Sequence, residues 1–248
     1  HNVLGELTSQ TDAKLKTTTM AYDVAGRMVQ RVTTEGTSTW QYDTAALGTT
    51  GRLAKGSIAK TTGPGGYVET YNYDDLARGT KVNTTISAAT YITETAYGAF
   101  SRVDTITYPN TGFKVKQIYH DFGYLHQVNR LNGATETLVW KADVSDAQGR
   151  ITDEVFGNGL LGKRIYNAET KDLEAIRTGF DINNPTVQKH SYSFDAIDNL
   201  LQRVDELQNL TENFTYDDLN RLTRATGAVT KDYAYAPNGN ILTNSLRG

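Results

Sequence analysis

The sequence predicts an all-β chain, and three observations carry that prediction. A short motif returns about every 24 residues along the whole length. The composition is rich in 36 Thr, 15 Tyr, 7 Phe and 2 Trp, residue types that suit a pleated, half-buried surface better than a helix. Aromatic residues also recur two apart, at Trp40 and Tyr42, Tyr71 and Tyr73, Tyr192 and Phe194, Phe214 and Tyr216, and Tyr233 and Tyr235. In a strand such pairs share a face and stack their rings, whereas a helix separates them. The expected architecture is an array of about ten antiparallel β-hairpins forming one long twisted sheet. It is read as a single continuous region over 1–248.

The copies run in order along the chain. The first is Tyr22-Asp23-Val24-Ala25-Gly26-Arg27-Met28. Tyr42-Asp43 then reaches Gly51-Arg52-Leu53 after extra residues. Tyr73-Asp74-Asp75-Leu76-Ala77-Arg78 and Tyr97-Gly98-Ala99-Phe100-Ser101-Arg102-Val103 follow, then Tyr119-His120-Asp121-Phe122-Gly123-Tyr124-Leu125. Ser145-Asp146-Ala147-Gln148-Gly149-Arg150-Ile151 keeps the motif without its aromatic lead, and Tyr166-Asn167 reaches Leu173 one residue late. Phe194-Asp195-Ala196-Ile197-Asp198-Asn199-Leu200, Tyr216-Asp217-Asp218-Leu219-Asn220-Arg221-Leu222 and Tyr235-Ala236-Pro237-Asn238-Gly239-Asn240-Ile241 complete the array.

Each motif position has a physical role. An Asp at the start of a turn bonds its own backbone two residues on, and a Gly three residues later takes the positive φ of a type I turn with a G1 bulge. That slot holds Gly26, Gly123, Gly149 and Gly239, with Asp198 and Asn220 as tolerant substitutes. Ala77 and Ser101 fit it poorly and predict a different turn or strain. After the corner an Arg and an apolar residue open the return strand. Arg27, Arg78, Arg102, Arg150 and Arg221 are expected over ring faces or paired to carboxylates. Gly63-Pro64-Gly65-Gly66 and Asn183-Asn184-Pro185 read as loop tips. Residues 168–179 could hold a helical turn around Leu173 and Ile176, but the repeat register favours strand there.

Composition excludes several functions. The 25 Lys and Arg against 28 Asp and Glu give a formal charge of −3 with no basic run, so nothing marks a nucleic-acid partner. With no cysteine there is no disulfide, thiolate metal site or cysteine nucleophile. No apolar run approaches the length of a membrane span. The opening at His1 without a leader sequence, and the two open edges of such a sheet, predict a piece cut from a longer protein.

Candidate chemistry is sparse. His120, Asp121 and His126 form the one grouping with a metal-like look, yet His120 fills the Asp slot of a turn and His126 a return-strand position, so no metal is expected. The repeated Asp residues are explained by turn chemistry, and copies replace them with Gly98, His120, Asn167 and Ala236. Neither a catalytic carboxylate pair nor a calcium site is therefore expected. No nucleophile elbow, phosphate loop or His-Glu-x-x-His motif occurs. The triplets starting at Asn83, Asn209 and Asn213 match a glycosylation pattern that arises by chance in a Thr-rich chain. The aromatic rows leave one binding alternative, stacking on carbohydrate or a cell surface.

These copies resemble the RHS/YD repeats, which are named for the Tyr-Asp dipeptide, over essentially the full chain. Asp146 to Ile151 running on to Phe156-Gly157-Asn158-Gly159-Leu160, together with Phe214 to Leu222, is most similar to large secreted bacterial RHS proteins. The resemblance implies a spiralling antiparallel sheet that is part of a hollow β-shell, in which bacterial RHS and toxin-complex proteins enclose a C-terminal toxin. It also implies a secreted or surface location, a structural and non-enzymatic role, no cofactor, and two partners: the rest of the shell and the enclosed toxin domain. Many members end the shell with a self-cleaving segment built around Asp-Pro. Here the four prolines follow Gly63, Tyr108, Asn184 and Ala236, so the chain is expected to be shell wall alone.

Overall fold

A computed structural model describes residues 1–49 and 51–245. Its regular structure is antiparallel β apart from two short 3-10 turns and one parallel pairing. The chain divides into two units, one of residues 1–117 and 130–136, the other of residues 118–129 and 137–248.

The first unit carries β1 (Ser9–Thr11), β2 (Thr17–Tyr22), β3 (Met28–Thr33), β4 (Gly36–Tyr42), β5 (Ala46–Leu47), β6 (Arg52–Leu53), β7 (Ile58–Gly63), β8 (Tyr67–Tyr73), β9 (Gly79–Ile86), β10 (Ala89–Tyr97) and β11 (Val103–Thr107). β12 (Lys114–Tyr119) and β13 (Leu125–Asn132) each have residues in both units. Hairpin pairing runs β1 to β4, passes to β7, and continues to β12. The second unit carries β14 (Thr135–Ser145), whose first two residues belong to the first unit, then β15 (Ile151–Phe156), β16 (Leu161–Tyr166), β17 (Leu173–Gly179), β18 (Gln188–Phe194), β19 (Leu200–Asp205), β20 (Leu210–Tyr216), β21 (Leu222–Thr226), β22 (Lys231–Tyr235) and β23 (Ile241–Asn244). Each pairs with the next. Residues 173–179 are strand, as the repeat register requires.

Register gives the first unit's sheet two different faces. The row Trp40, Thr61, Glu69, Thr84 and Tyr91 crosses five strands on the aromatic face. The opposite face is polar, with Thr39 bonded to Thr62 at 2.6 Å and Asn83 to Thr70 at 3.0 Å. Buried apolar residues are small, chiefly Ala45, Leu47, Ala54, Ala59, Val115, Ala142 and Ala175, and no large side chain among the described residues is fully buried. Stability therefore rests on ladder hydrogen bonds and cross-strand side-chain pairs more than on a thick core.

One sequence expectation needs correction. Tyr42 pairs with Ile58, and the Asp43 N–H donates to the Ser57 carbonyl at 3.0 Å. The second corner therefore closes on Ser57-Ile58, not on Gly51-Arg52-Leu53. Arg52 and Leu53 instead form β6, which pairs with β5 inside the insertion. Leu47 of β5 pairs in parallel with Tyr73, and with Ala45, Ala54 and Ala59 it builds a small apolar cluster against that ring.

Candidate functional site: the corner ladder

Ten corners join β2 to β3, β4 to β7, β8 to β9, β10 to β11, and then each even strand to the next odd one. Within each unit they alternate with hairpin tips, so they line one margin of that unit's sheet.

A full corner closes on itself. Asp217 Oδ1 accepts from the Leu219 and Arg221 N–H groups, both at 3.0 Å, while Oδ2 accepts from Arg221 Nε at 2.7 Å. Asp23, Asp74 and Asp146 repeat this with Arg27, Arg78 and Arg150, and Asp195 does so with Asn199. The Arg hydrogen bonds hold the Asp23, Asp74 and Asp217 carboxyls below the usual carboxylate range. At Asp146 burial pushes upward, but the Arg150 and backbone bonds outweigh it and the net direction is down. These carboxylates are committed as acceptors, which leaves them unsuited to proton transfer.

Each corner also reaches its neighbour. Arg27 lies 4.4 Å from the Tyr42 ring centroid, Arg78 4.5 Å from Tyr97, Arg150 3.7 Å from Tyr166 and Arg221 4.6 Å from Tyr235. The lead Tyr of one copy thus stacks under the Arg of the copy before it, a cation–π contact. Its hydroxyl then donates back to the carbonyl that follows the preceding corner. Tyr42 bonds Met28 at 3.1 Å, Tyr73 Ile58 at 2.6 Å, Tyr97 Gly79 at 2.8 Å, Tyr216 Leu200 at 3.0 Å and Tyr235 Leu222 at 2.8 Å. Arg27 further donates to Asp43 at 2.6 Å, and with the Gly56 N–H it draws the Asp43 carboxyl down to about 2. Arg150 bonds the Lys171 carbonyl at 2.8 Å. Arg, ring and hydroxyl make a rung between successive corners.

A family model for the RHS repeat matches residues 1–39, which contain the first complete corner, and the same corner geometry recurs through residue 240. Residues 1–39 thus carry an RHS repeat. Among curated proteins none matches the sequence significantly. Among solved structures, a chain of the Photorhabdus luminescens Tc holotoxin pore aligns over 97% of this chain with a TM-score of 0.68 at 18% identity. A TcdB2–TccC3 crystal structure aligns over 96%, with a TM-score of 0.68 at 19% identity. A TcdB2–TccC3 structure without its hypervariable C-terminal region aligns over 91%, with a TM-score of 0.64 at 18% identity. The chain spans only 15–16% of the length of those chains. The likeness establishes a shared all-β fold.

Other sequence expectations can be placed on the corner ladder. Ala77 keeps the standard corner at φ 60°. At the next corner the turn differs: Phe100 and Ser101 are both left-handed, at φ 58° and 57°, and the Arg102 N–H closes onto Ala99. Arg102 lies over Phe100 at 5.0 Å. At Tyr166 the left-handed slot is Lys171 and the return starts at Leu173. Gly239 closes the last corner at φ 87° with an amide bond to Ala236. His120 substitutes for Asp, its Nδ1 accepting from the Phe122 N–H at 3.4 Å, and its ring lies 6.2 Å from that of His126. Among the described residues no group of three or more His, Cys, Asp or Glu is placed to hold a metal.

Sequence reasoning missed the hydroxyl-to-carbonyl bonds and a corner at the other margin. Asp12 accepts from Lys14 and Lys16 at 2.8 and 2.9 Å, with Leu15 left-handed at φ 61°. Its signal was an Asp four residues before a basic residue, without the aromatic lead.

Proposed function

We propose that this chain is wall of an RHS-repeat β-shell that encapsulates a C-terminal toxin or other cargo in a large secreted or surface bacterial protein. In this reading 1–248 is one continuous repeat region, its partners are the rest of the shell and the cargo, and its role is structural rather than enzymatic. The observation that carries it is the corner ladder: the polar groups that recur from copy to copy are consumed in joining one hairpin to the next. The likeness to toxin-complex chains supports the same role. No described helix is long and apolar enough to cross a membrane.

The test is protease protection in the intact parent protein. A cargo segment should resist digestion while the repeat region is folded and become sensitive once the ladder is broken. Digestion at the same rate in both states would reject enclosure.

A second reading, carbohydrate binding, is favoured by one feature. Trp40, Tyr67 and Tyr71 stand beside Glu69 and Thr61 around an open depression of about 600 Å³. A glycan screen with Trp40→Ala and Tyr71→Ala controls separates the readings, and no binding across the screen removes this one.

A further inference from the structure

One rung of the ladder is missing on both sides. The corner at Tyr119–Leu125 has Tyr124 where Arg27, Arg78, Arg150 and Arg221 stand elsewhere. The following copy leads with Ser145, so no ring arrives to be stacked and no hydroxyl to be bonded. The lead-in ring two residues earlier is absent too, because that position holds Asp143. Where the rung would lie there is a cleft of about 820 Å³, lined by His120, Phe122, Tyr124, Leu125, His126 and Ser145 among others. All of these residues belong to the second unit. Phe122 is 82% exposed and Tyr124 69%. His120 stacks on Phe122 at 5.3 Å between ring centroids and meets His126 edge-on, which makes an aromatic rim.

We propose that this cleft docks the phenol ring of a tyrosine side chain carried by another polypeptide segment. The shape and chemistry of the occupant are given by the other rungs. In them a tyrosine ring enters at the lead position and donates its hydroxyl to the carbonyl of the residue after the corner. Leu125 holds that residue's place here and lines the cleft with Ser145. An incoming ring would lie against Tyr124 and the histidine–phenylalanine rim, in the offset or edge-on geometry that aromatic groups favour. Its hydroxyl would find an acceptor at Leu125, so a phenol is preferred over a plain phenyl. This inference needs only the ladder geometry and stands whether or not the chain encloses cargo.

The test is NMR titration of the full chain with N-acetyl-L-tyrosinamide, N-acetyl-L-phenylalaninamide and N-acetyl-L-leucinamide. The tyrosine amide should give saturable shifts confined to residues 120–126 and 142–149. The phenylalanine amide should bind about 2- to 10-fold more weakly, the value of one net hydrogen bond, and the leucine amide more weakly still. Ser145→Tyr, which supplies the missing ring from within, should abolish these shifts while leaving the Arg150–Tyr166 rung unperturbed, and Ser145→Ala should retain them. Tyr124→Arg should tighten tyrosine amide binding about 2- to 5-fold by restoring the cation, a gain that misfolding cannot produce. No saturable shift, equal binding of the three amides, or full binding by a folded Ser145→Tyr variant would overturn the proposal.

Discussion

Ala77 and Gly149 occupy the same backbone position in two otherwise similar corners, so exchanging their residue types tests the corner chemistry directly. Both are left-handed, at φ 60° and 80°, and both donate their amide to the Asp that opens the turn, at 3.0 and 2.9 Å. A side chain in this conformation costs roughly 1–2 kcal/mol, while glycine's greater freedom in the unfolded chain returns about 0.4–1 kcal/mol. A Cβ built on Gly149 meets nothing within 4 Å, so the backbone effect stands alone. Ala77→Gly is therefore expected to stabilise, and Gly149→Ala to destabilise, each by about 0.5–1 kcal/mol. For a chain of this size that is a melting shift of about 1–4 °C, opposite in sign for the two variants. Repeat arrays couple mainly to neighbours, so amide exchange at residues 74–78 and 146–150 is the sharper assay. Gly79→Ala, at a glycine with open space and no positive φ, is the control and should not slow folding or loosen either corner. Shifts of the same sign in the two variants, or a loss of protection in Ala77→Gly, would refute the assignment of this slot.

Removing the Tyr216 hydroxyl as Tyr216→Phe deletes its bond to Leu200; a loss of about 0.5–1.5 kcal/mol is expected, read as faster amide exchange around residues 195–200. Gly157→Ala should be far more damaging, at about 3 kcal/mol or more, because a Cβ there would lie 2.0 Å from the Leu138 carbonyl oxygen; retention of native amide protection in β14 and β15 would contradict it. Stability should be nearly flat above about pH 5 as far as the corner carboxylates are concerned and fall below about pH 4. The folded-state values of Asp43, Asp74, Asp195 and Asp217 are depressed, so their contribution is complete above the unfolded value and lost as pH drops through the folded one. A melting temperature unchanged from pH 7 to pH 2 would exclude this, and Asp195→Asn should lessen the acid sensitivity near β18 and β19.

The corners were legible in the sequence because their chemistry is local. Asp217, Asn220 and Arg221 act within five residues, and the same offsets recur at Asp23, Gly26 and Arg27. Strand type was legible for a related reason, since aromatic residues two apart fit one face of a sheet. Arg over ring faces was expected as well, but the hydroxyl bonds that complete the rungs were not legible, because Tyr97 reaches Gly79 and Tyr216 reaches Leu200 only once strand pairing sets the register. The second corner misled for a physical reason as well. Gly51-Arg52-Leu53 imitates the motif, but its place is taken by Ser57-Ile58 once β5 and β6 pair with each other. The turn at Ser87 and Ala88 lay beyond sequence signals too, because both residues are left-handed, at φ 48° and 71°, without a glycine.

The rung explains why the motif recurs without any shared reactive group. Its Asp fixes the turn, its Arg is oriented by that Asp, and the oriented guanidinium selects an aromatic ring in the next copy. A corner is thus a device for specifying its neighbour, which is what a sheet with little thick core requires. Substitutions within a corner are tolerated wherever the replacement keeps its acceptor or donor role, as His120 does for Asp and Asn199 for Arg. The pair Tyr124 and Ser145 is different in kind, because both sides of one rung are lost together and neither replacement restores the contact. Paired loss at a single place leaves a cleft beside Tyr124 and the His120–Phe122 pair, and it is this gap in the ladder, not the exposure of the corner itself, that sets the proposed phenol site apart.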